Sequence, residues 1–161
     1  MPADTVTNVV IAGLGGQGVI KASDILAEAA FRAGHDVKKS ELHGMSQRGG
    51  AVSSDVRFGP EVASPMVPDG EADVLLVLAE DQLDVFRWRL AEAGTLILPG
   101  RVDADALPHR RTLNVALLGV LSACLDLDEA HWLKAIRANL RPRHHRENEQ
   151  AFRLGREAGT V

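Results

Sequence analysis

A run of glycines near the start of the chain, Gly13-Leu14-Gly15-Gly16-Gln17-Gly18, constrains the fold more than any other stretch. It follows an apolar segment, Asn8-Val9-Val10-Ile11-Ala12, that reads as a buried strand. Beyond it, apolar residues fall at Val19, Ala22, Leu26, Ala29, Ala30 and Ala33, one face of an amphipathic helix. A strand that turns through glycines into a helix leaves backbone N–H groups free above the helix N-terminus. The helix dipole favours negative charge at that point. The chain therefore opens with a candidate anion cradle.

Gly13, Gly15 and Gly18 match the dinucleotide fingerprint G-x-G-x-x-G in its required strand-to-helix context. The fingerprint also calls for an acid about 20 residues on, at the end of the next strand, to hold ribose hydroxyls. Asp36 comes at the start of that strand, and Glu41 comes late and enters a loop. Lys38 and Lys39 would instead suit a 2′-phosphate. None stands where the fingerprint needs it. Three readings stay open: a full nicotinamide or flavin site, a tight turn that only brings helix and sheet together, and a partial phosphate site or docking surface. No Walker lysine-serine pair follows the loop, and no nucleophile elbow is present.

Downstream, Gly34 is placed to cap the first helix, and His35–Ser40 reads as a second strand, completing a β-α-β unit. Glu41–Gly50 reads as a loop, and Ala51–Phe58 as a strand stopped by Gly59-Pro60. Ala72–Leu78 is nearly continuous in apolar residues, as in a parallel strand buried on both faces. Asp81 is a candidate cap for a helix carrying Leu83, Phe86 and Leu90 and ending at Gly94. Thr95–Leu98 reads as a strand and Arg111–Leu113 as a short edge strand. Asn114–Leu125 reads as a helix, Asp128 as the cap of another with Trp132, Leu133, Ile136 and Leu140 on one face, and Glu147–Ala158 as the last. The expected fold is one α/β domain over 1–161, a Rossmann-like, mostly parallel open sheet with a helical C-terminal third.

Composition narrows the partners. A net charge of -4 and an aromatic fraction of 4% leave neither the basic surface nor the stacking rings of a nucleic-acid platform. No apolar stretch approaches the roughly 20 residues that cross a bilayer. The N-terminus lacks a signal-peptide plan, so a cytoplasmic protein is expected. The one cysteine, Cys124, lies in an apolar run and reads as a buried, inert thiol. A lone cysteine cannot ligate an iron–sulfur cluster. His144 and His145 lie in a basic connector, Arg141–Arg146, that reads as solvated; a subunit-docking or coenzyme A phosphate role is its alternative.

The second informative stretch is His43-Gly44-Met45-Ser46-Gln47-Arg48-Gly49-Gly50. It joins a titratable imidazole, an amide and a guanidinium able to grip a carboxylate or phosphate with paired hydrogen bonds. By topology it leaves the second strand at the sheet edge that carries the glycine turn, where open α/β folds bind ligands.

These two loops, with Val56-Arg57-Phe58-Gly59, Ser64-Pro65, Gly70-Glu71-Ala72-Asp73, Asn114–Gly119 and Asn148–Phe152, resemble the small subunits of indolepyruvate:ferredoxin oxidoreductases. More broadly they are similar to the gamma-type domain of pyruvate and other 2-oxoacid:ferredoxin oxidoreductases. The His43–Gly50 form is similar to the arylpyruvate branch. The resemblance implies a heteromeric enzyme that decarboxylates a 2-oxoacid on thiamine diphosphate with Mg2+, passes electrons through [4Fe-4S] clusters to ferredoxin, and forms an acyl-coenzyme A. It implies that these cofactors sit on a large partner subunit, in a heterodimer or dimer of heterodimers. No metal site is expected on this chain. His43, Gln47 and Arg48 are candidate polar contributors at the partner's active site. Gly13, Gly15, Gly16, Gln17, Gly18, Ser46, Gly49 and Gly50 would frame an anion, coenzyme A or substrate entrance. The alternatives are a free-standing Rossmann-type nucleotide-binding protein and a non-catalytic scaffold subunit.

Overall fold

The computed structural model describes residues 5–44 and 49–160. Five strands form one sheet in the order β2-β3-β1-β4-β5. They are β1 (Thr7–Leu14), β2 (Asp36–His43), β3 (Ala51–Gly59), β4 (Ala72–Val77) and β5 (Leu90–Ile97). β1 pairs parallel with β4, and β4 with β5, while β3 runs antiparallel between β1 and β2. Four strands thus share one direction and β3 opposes them, a mixed α/β sheet of mostly parallel sense.

The helices are α1 (Val19–Arg32), the single turn α2 (Leu83–Phe86), α3 (Leu113–Ser122), α4 (Glu129–Asn139) and α5 (His145–Gly159). Alternation along β1 sends Val9 and Ile11 into the main core with α1, α3, α4 and α5, and Val10 and Ala12 into a smaller cluster. Gly34 caps α1 with φ 95°, and the His35 N–H reaches back to the Ala30 carbonyl at 3.1 Å.

α3 is apolar all round, so it is buried. It crosses α5 at backbone contact. A Cβ on Gly155 would stand 1.7 Å from the Ala116 carbonyl oxygen, and one on Gly119 would stand 2.1 Å from that of Phe152. Trp132 of α4 packs on Phe152, with ring centroids 5.5 Å apart.

Several expectations are corrected. Glu41, Leu42 and His43 belong to β2, because pairing with Ser54, Ser53 and Val52 continues to the end of the strand. The helix expected from Asp81 to Gly94 is only the turn α2 between 3-10 segments; Asp81 makes no side-chain cap, and β5 begins at Leu90. Gly94 lies inside β5 where the register shifts, and a Cβ there would meet the Ala72 carbonyl oxygen at 2.7 Å. Arg111–Leu113 is no edge strand. The His109 imidazole accepts from the Arg111 N–H (3.0 Å), winding Arg110–Thr112 into a 3-10 turn that runs into α3. α3 stops at Ser122, so Cys124 falls on the turn beyond it and is exposed. Local packing around its sulfur still raises the thiol pKa, against the opposing pull of Arg101. Asp128 occupies the N-cap position of α4 without a side-chain hydrogen bond. The β-α-β unit is not a pair of neighbours, since β3 separates β2 from β1.

Candidate functional site at the glycine edge

The glycine turn is braced from within. The Leu14 N–H donates to Gln17 Oε1 at 2.7 Å, and the Gln17 N–H to the Leu14 carbonyl at 3.2 Å. Gln17 Nε2 lies 3.5 Å from the Leu78 carbonyl beyond β4. Gly13 leaves room for this amide, because a Cβ there would sit 2.7 Å from Gln17 Oε1. Gly18 caps α1 with φ 85°, and its carbonyl accepts from Asn114 Nδ2 at 3.2 Å. A Cβ on Gly18 would stand 2.4 Å from that nitrogen. The first and last fingerprint glycines therefore answer to neighbours inside the protein. Gly16, with φ 90°, has nothing within 4 Å of a Cβ position and faces open space.

The second loop meets this turn. Gly15 N–H donates to the Gly50 carbonyl at 2.9 Å, and a Cβ on Gly15 would touch Gly49 N at 3.4 Å. His43 and Gly13 both pair with Val52, from opposite sides of β3. His43 is therefore two strand spacings from the turn, roughly 10 Å. It is exposed, with Nε2 4.0 Å from Glu41 Oε2. Ser46, Gln47 and Arg48 lie outside the described residues.

The groups weighed for a ribose are engaged elsewhere. Asp36 Oδ2 accepts from the Val62 N–H at 2.8 Å, which holds this carboxyl below its ordinary pKa. Lys38 donates to the Val62 carbonyl. Lys39 bonds Asp24 of α1 at 2.9 Å and also Glu41. Burial alone would lower Lys39, but the two carboxylates outweigh it and hold its pKa above the ordinary lysine value. With β3 inserted, no acid of β2 stands beside the glycine turn.

The cations that do stand beside it come from elsewhere in the chain. A cavity of about 830 Å³ opens over Gly16–Gly18 and is lined by Lys21, Arg110, Arg111 and Asn114, with Leu78 and Leu113 as apolar walls. Lys21 sits in the first turn of α1, while Arg110 and Arg111 ride the 3-10 turn before α3. Three cations and a helix N-terminus facing one space favour a ligand with more than one negative charge. Arg110 and Arg111 stand beside a segment that reads as an edge strand, which hides their place at the site; the adjacent pair before an apolar helix is the signal for them in the sequence.

Residues 8–158 match the pyruvate ferredoxin/flavodoxin oxidoreductase family. The chain belongs to this family. It is 33% identical to the indolepyruvate oxidoreductase subunit IorB of Thermococcus kodakarensis, over 92% of this chain and 93% of that relative. The gamma subunit of a keto/oxoacid ferredoxin oxidoreductase from Geobacter sulfurreducens shares the fold with a TM-score of 0.79 at 23% identity, covering 96% of this chain and 97% of the other. A 2-oxoglutarate:ferredoxin oxidoreductase from Magnetococcus marinus, solved with 2-oxoglutarate, coenzyme A and succinyl-CoA bound, shares it at 0.84 and 17% identity; the match covers 97% of this chain and 31% of that one.

Within this family member, the basic connector differs from the glycine edge. His145 Nε2 lies 2.7 Å from the Leu140 carbonyl, and His144 Nδ1 lies 3.1 Å from Glu147. The neighbouring Arg137 and Arg153 pair with Glu149 and Glu129. Among the described residues, no three His, Cys, Asp or Glu side chains are grouped as metal ligands.

Proposed function

We propose that this chain is the small subunit of a 2-oxoacid oxidoreductase that acts on indolepyruvate or another arylpyruvate and yields an acyl-coenzyme A, CO2 and reduced ferredoxin or an equivalent carrier. The observation that carries the reading is the similarity to an indolepyruvate oxidoreductase subunit along nearly the whole of both chains. One cysteine in the full sequence is a donor set that does not fit a [4Fe-4S] cluster. Thiamine diphosphate, Mg2+ and clusters are accordingly assigned to a large partner subunit, with this chain inactive alone in a cytoplasmic heteromeric complex.

The part assigned to this chain is binding and orientation. Lys21, Arg110 and Arg111, with the amide of Gly16 and the N-terminus of α1, would hold phosphate groups of coenzyme A. His43 at the end of β2, with Ser46, Gln47 and Arg48 of the segment that follows it, would contribute polar groups at the entrance of the partner's active site. Phosphate oxygens suit the planar arginine forks, which can bond two at once.

The test uses the complex purified through a tag on this chain. Arg110→Ala with Arg111→Ala should raise the apparent KM for coenzyme A about tenfold or more, with cluster content and thermal stability unchanged. Arg48→Ala should raise KM for coenzyme A or the oxoacid in the same preparation. A tagged chain that emerges alone and colourless would sink the subunit reading. Unchanged kinetics in the assembled double variant would remove only the phosphate site.

A further inference from the structure

The two faces of the sheet are covered very differently. Among the described residues, four helices cover one face, while the other has only α2, its flanking 3-10 turns and the loop of residues 60–71. Five large apolar side chains are exposed among the described residues, and three of them, Met66, Val85 and Trp88, ride this thin cover. Trp88 is 57% exposed, yet it is held in place. Its indole N–H donates to the Val85 carbonyl at 3.0 Å, and the Arg89 guanidinium carbon lies 5.2 Å from the ring centroid. Arg89 is itself buried, bonded to Asp55 at 2.7 Å and within 3.5 Å of the Val67 carbonyl, next to Met66. Through Arg89, an ion pair rooted in β3 thus fixes an indole at the surface and links it to the loop segment that carries Met66 and Val67. An aromatic side chain already ordered before binding loses little entropy when it is covered.

The segment that carries Val85 and Trp88 and the loop before β4 are mostly acidic. Between Pro60 and Glu92 the chain carries eight acids against two arginines. Of the two bases, Arg89 is spent on Asp55, and Arg87 Nε lies 3.9 Å from Asp84. Asp69, Asp81 and Asp84 are exposed, while the start of the loop lies by β2 and β3, where Lys38 donates to the Val62 carbonyl and Arg57 to the Ser64 carbonyl. Alongside the apolar patch this makes an acidic rim, which complements a basic surface and repels an acidic one.

We infer that the Met66–Val85–Trp88 face docks a partner protein surface consisting of an apolar socket rimmed by lysine and arginine. This rests on the reading of the chain as a subunit, and the partner it names is the large subunit. The face lies on the thin cover, not at the glycine edge, so docking and ligand binding use different residues.

The experiment titrates the full-length chain against its large subunit and follows the dissociation constant at rising salt. Trp88→Ala should weaken binding at least tenfold. Asp81→Lys with Asp84→Lys should weaken it several-fold and flatten the salt dependence that the wild-type pair shows. The Asp84 side chain is 95% exposed, so its replacement leaves the fold intact. Wild-type affinity and salt dependence in both variants would overturn the inference while leaving the subunit reading in place. So would sedimentation showing that the isolated chain pairs with itself through Trp88. A wild-type chain that binds no large subunit would overturn the subunit reading, and this inference with it.

Discussion

Glycine does opposite work at two places in this molecule. At the α3–α5 crossing, what a Cβ would strike is backbone: the Ala116 carbonyl at 1.7 Å from Gly155 and the Phe152 carbonyl at 2.1 Å from Gly119. At the turn, what it would strike is the end of a side chain, Gln17 Oε1 at Gly13 and Asn114 Nδ2 at Gly18, or nothing at all at Gly16, and at Gly15 it would make only ordinary contact with Gly49 N at 3.4 Å. Backbone held in two helices cannot yield without separating them, whereas an amide can rotate away. The crossing glycines therefore belong to the core, and the turn glycines shape a surface that faces a cavity.

That contrast breaks most decisively at Gly155. Gly155→Val should destabilise the chain by at least about 3 kcal/mol, the upper range for overpacking, because α3 and α5 must move apart. Thermal or urea unfolding measures it, and a near-normal midpoint would mean the crossing is looser than its geometry. Gly18→Ala should cost less, about 1–2 kcal/mol for left-handed backbone, plus the loss of the Asn114 hydrogen bond. Gly16→Ala carries the same backbone cost without the steric one, so the difference between the two variants isolates the Asn114 contact.

The smallest effect concerns the seam between α1 and β2 and leaves both glycine clusters untouched. Lys39 has a raised pKa, so its contribution is fully present below the ordinary lysine value of about 10.4 and is lost as pH rises through the folded value. Lys39→Met should flatten the alkaline arm of stability against pH, by no more than about 1 kcal/mol since the pair is partly exposed. The same alkaline slope in the variant would assign that arm to other groups.

Much of this contrast was hidden in the sequence. Gly119 was visible within a family-like stretch and Gly155 within a charged helix, but nothing local says that they meet each other's helix. The glycine turn was legible because strand, turn and helix are contiguous. Lys21 lay inside the helical pattern, while Arg110 and Arg111 lie over ninety residues beyond Gly16. Only the 3-10 turn nucleated by His109 brings the two arginines to the cavity. The β2 and β5 boundaries failed for a related reason: both extend past the local signal because ladder partners continue to pair. Cys124 is exposed, against the buried thiol its sequence suggests, because an apolar run does not reveal where its helix ends.

By itself, the sequence determined the α/β class, the strand-to-helix glycine turn, the companion loop and the family, because these reside in contiguous residues and their periodicity. Tertiary structure decided that β3 separates β2 from β1, that two fingerprint glycines answer to Gln17 and Asn114, and that three cations gather over Gly16. It also decided that, among the described residues, one face of the sheet has a thin cover bearing an ordered tryptophan. The physical reason is the same in each case. Hydrogen-bond ladders, helix crossings and charge clusters depend on which distant segments come within a few ångströms, and that is set by packing of the whole chain.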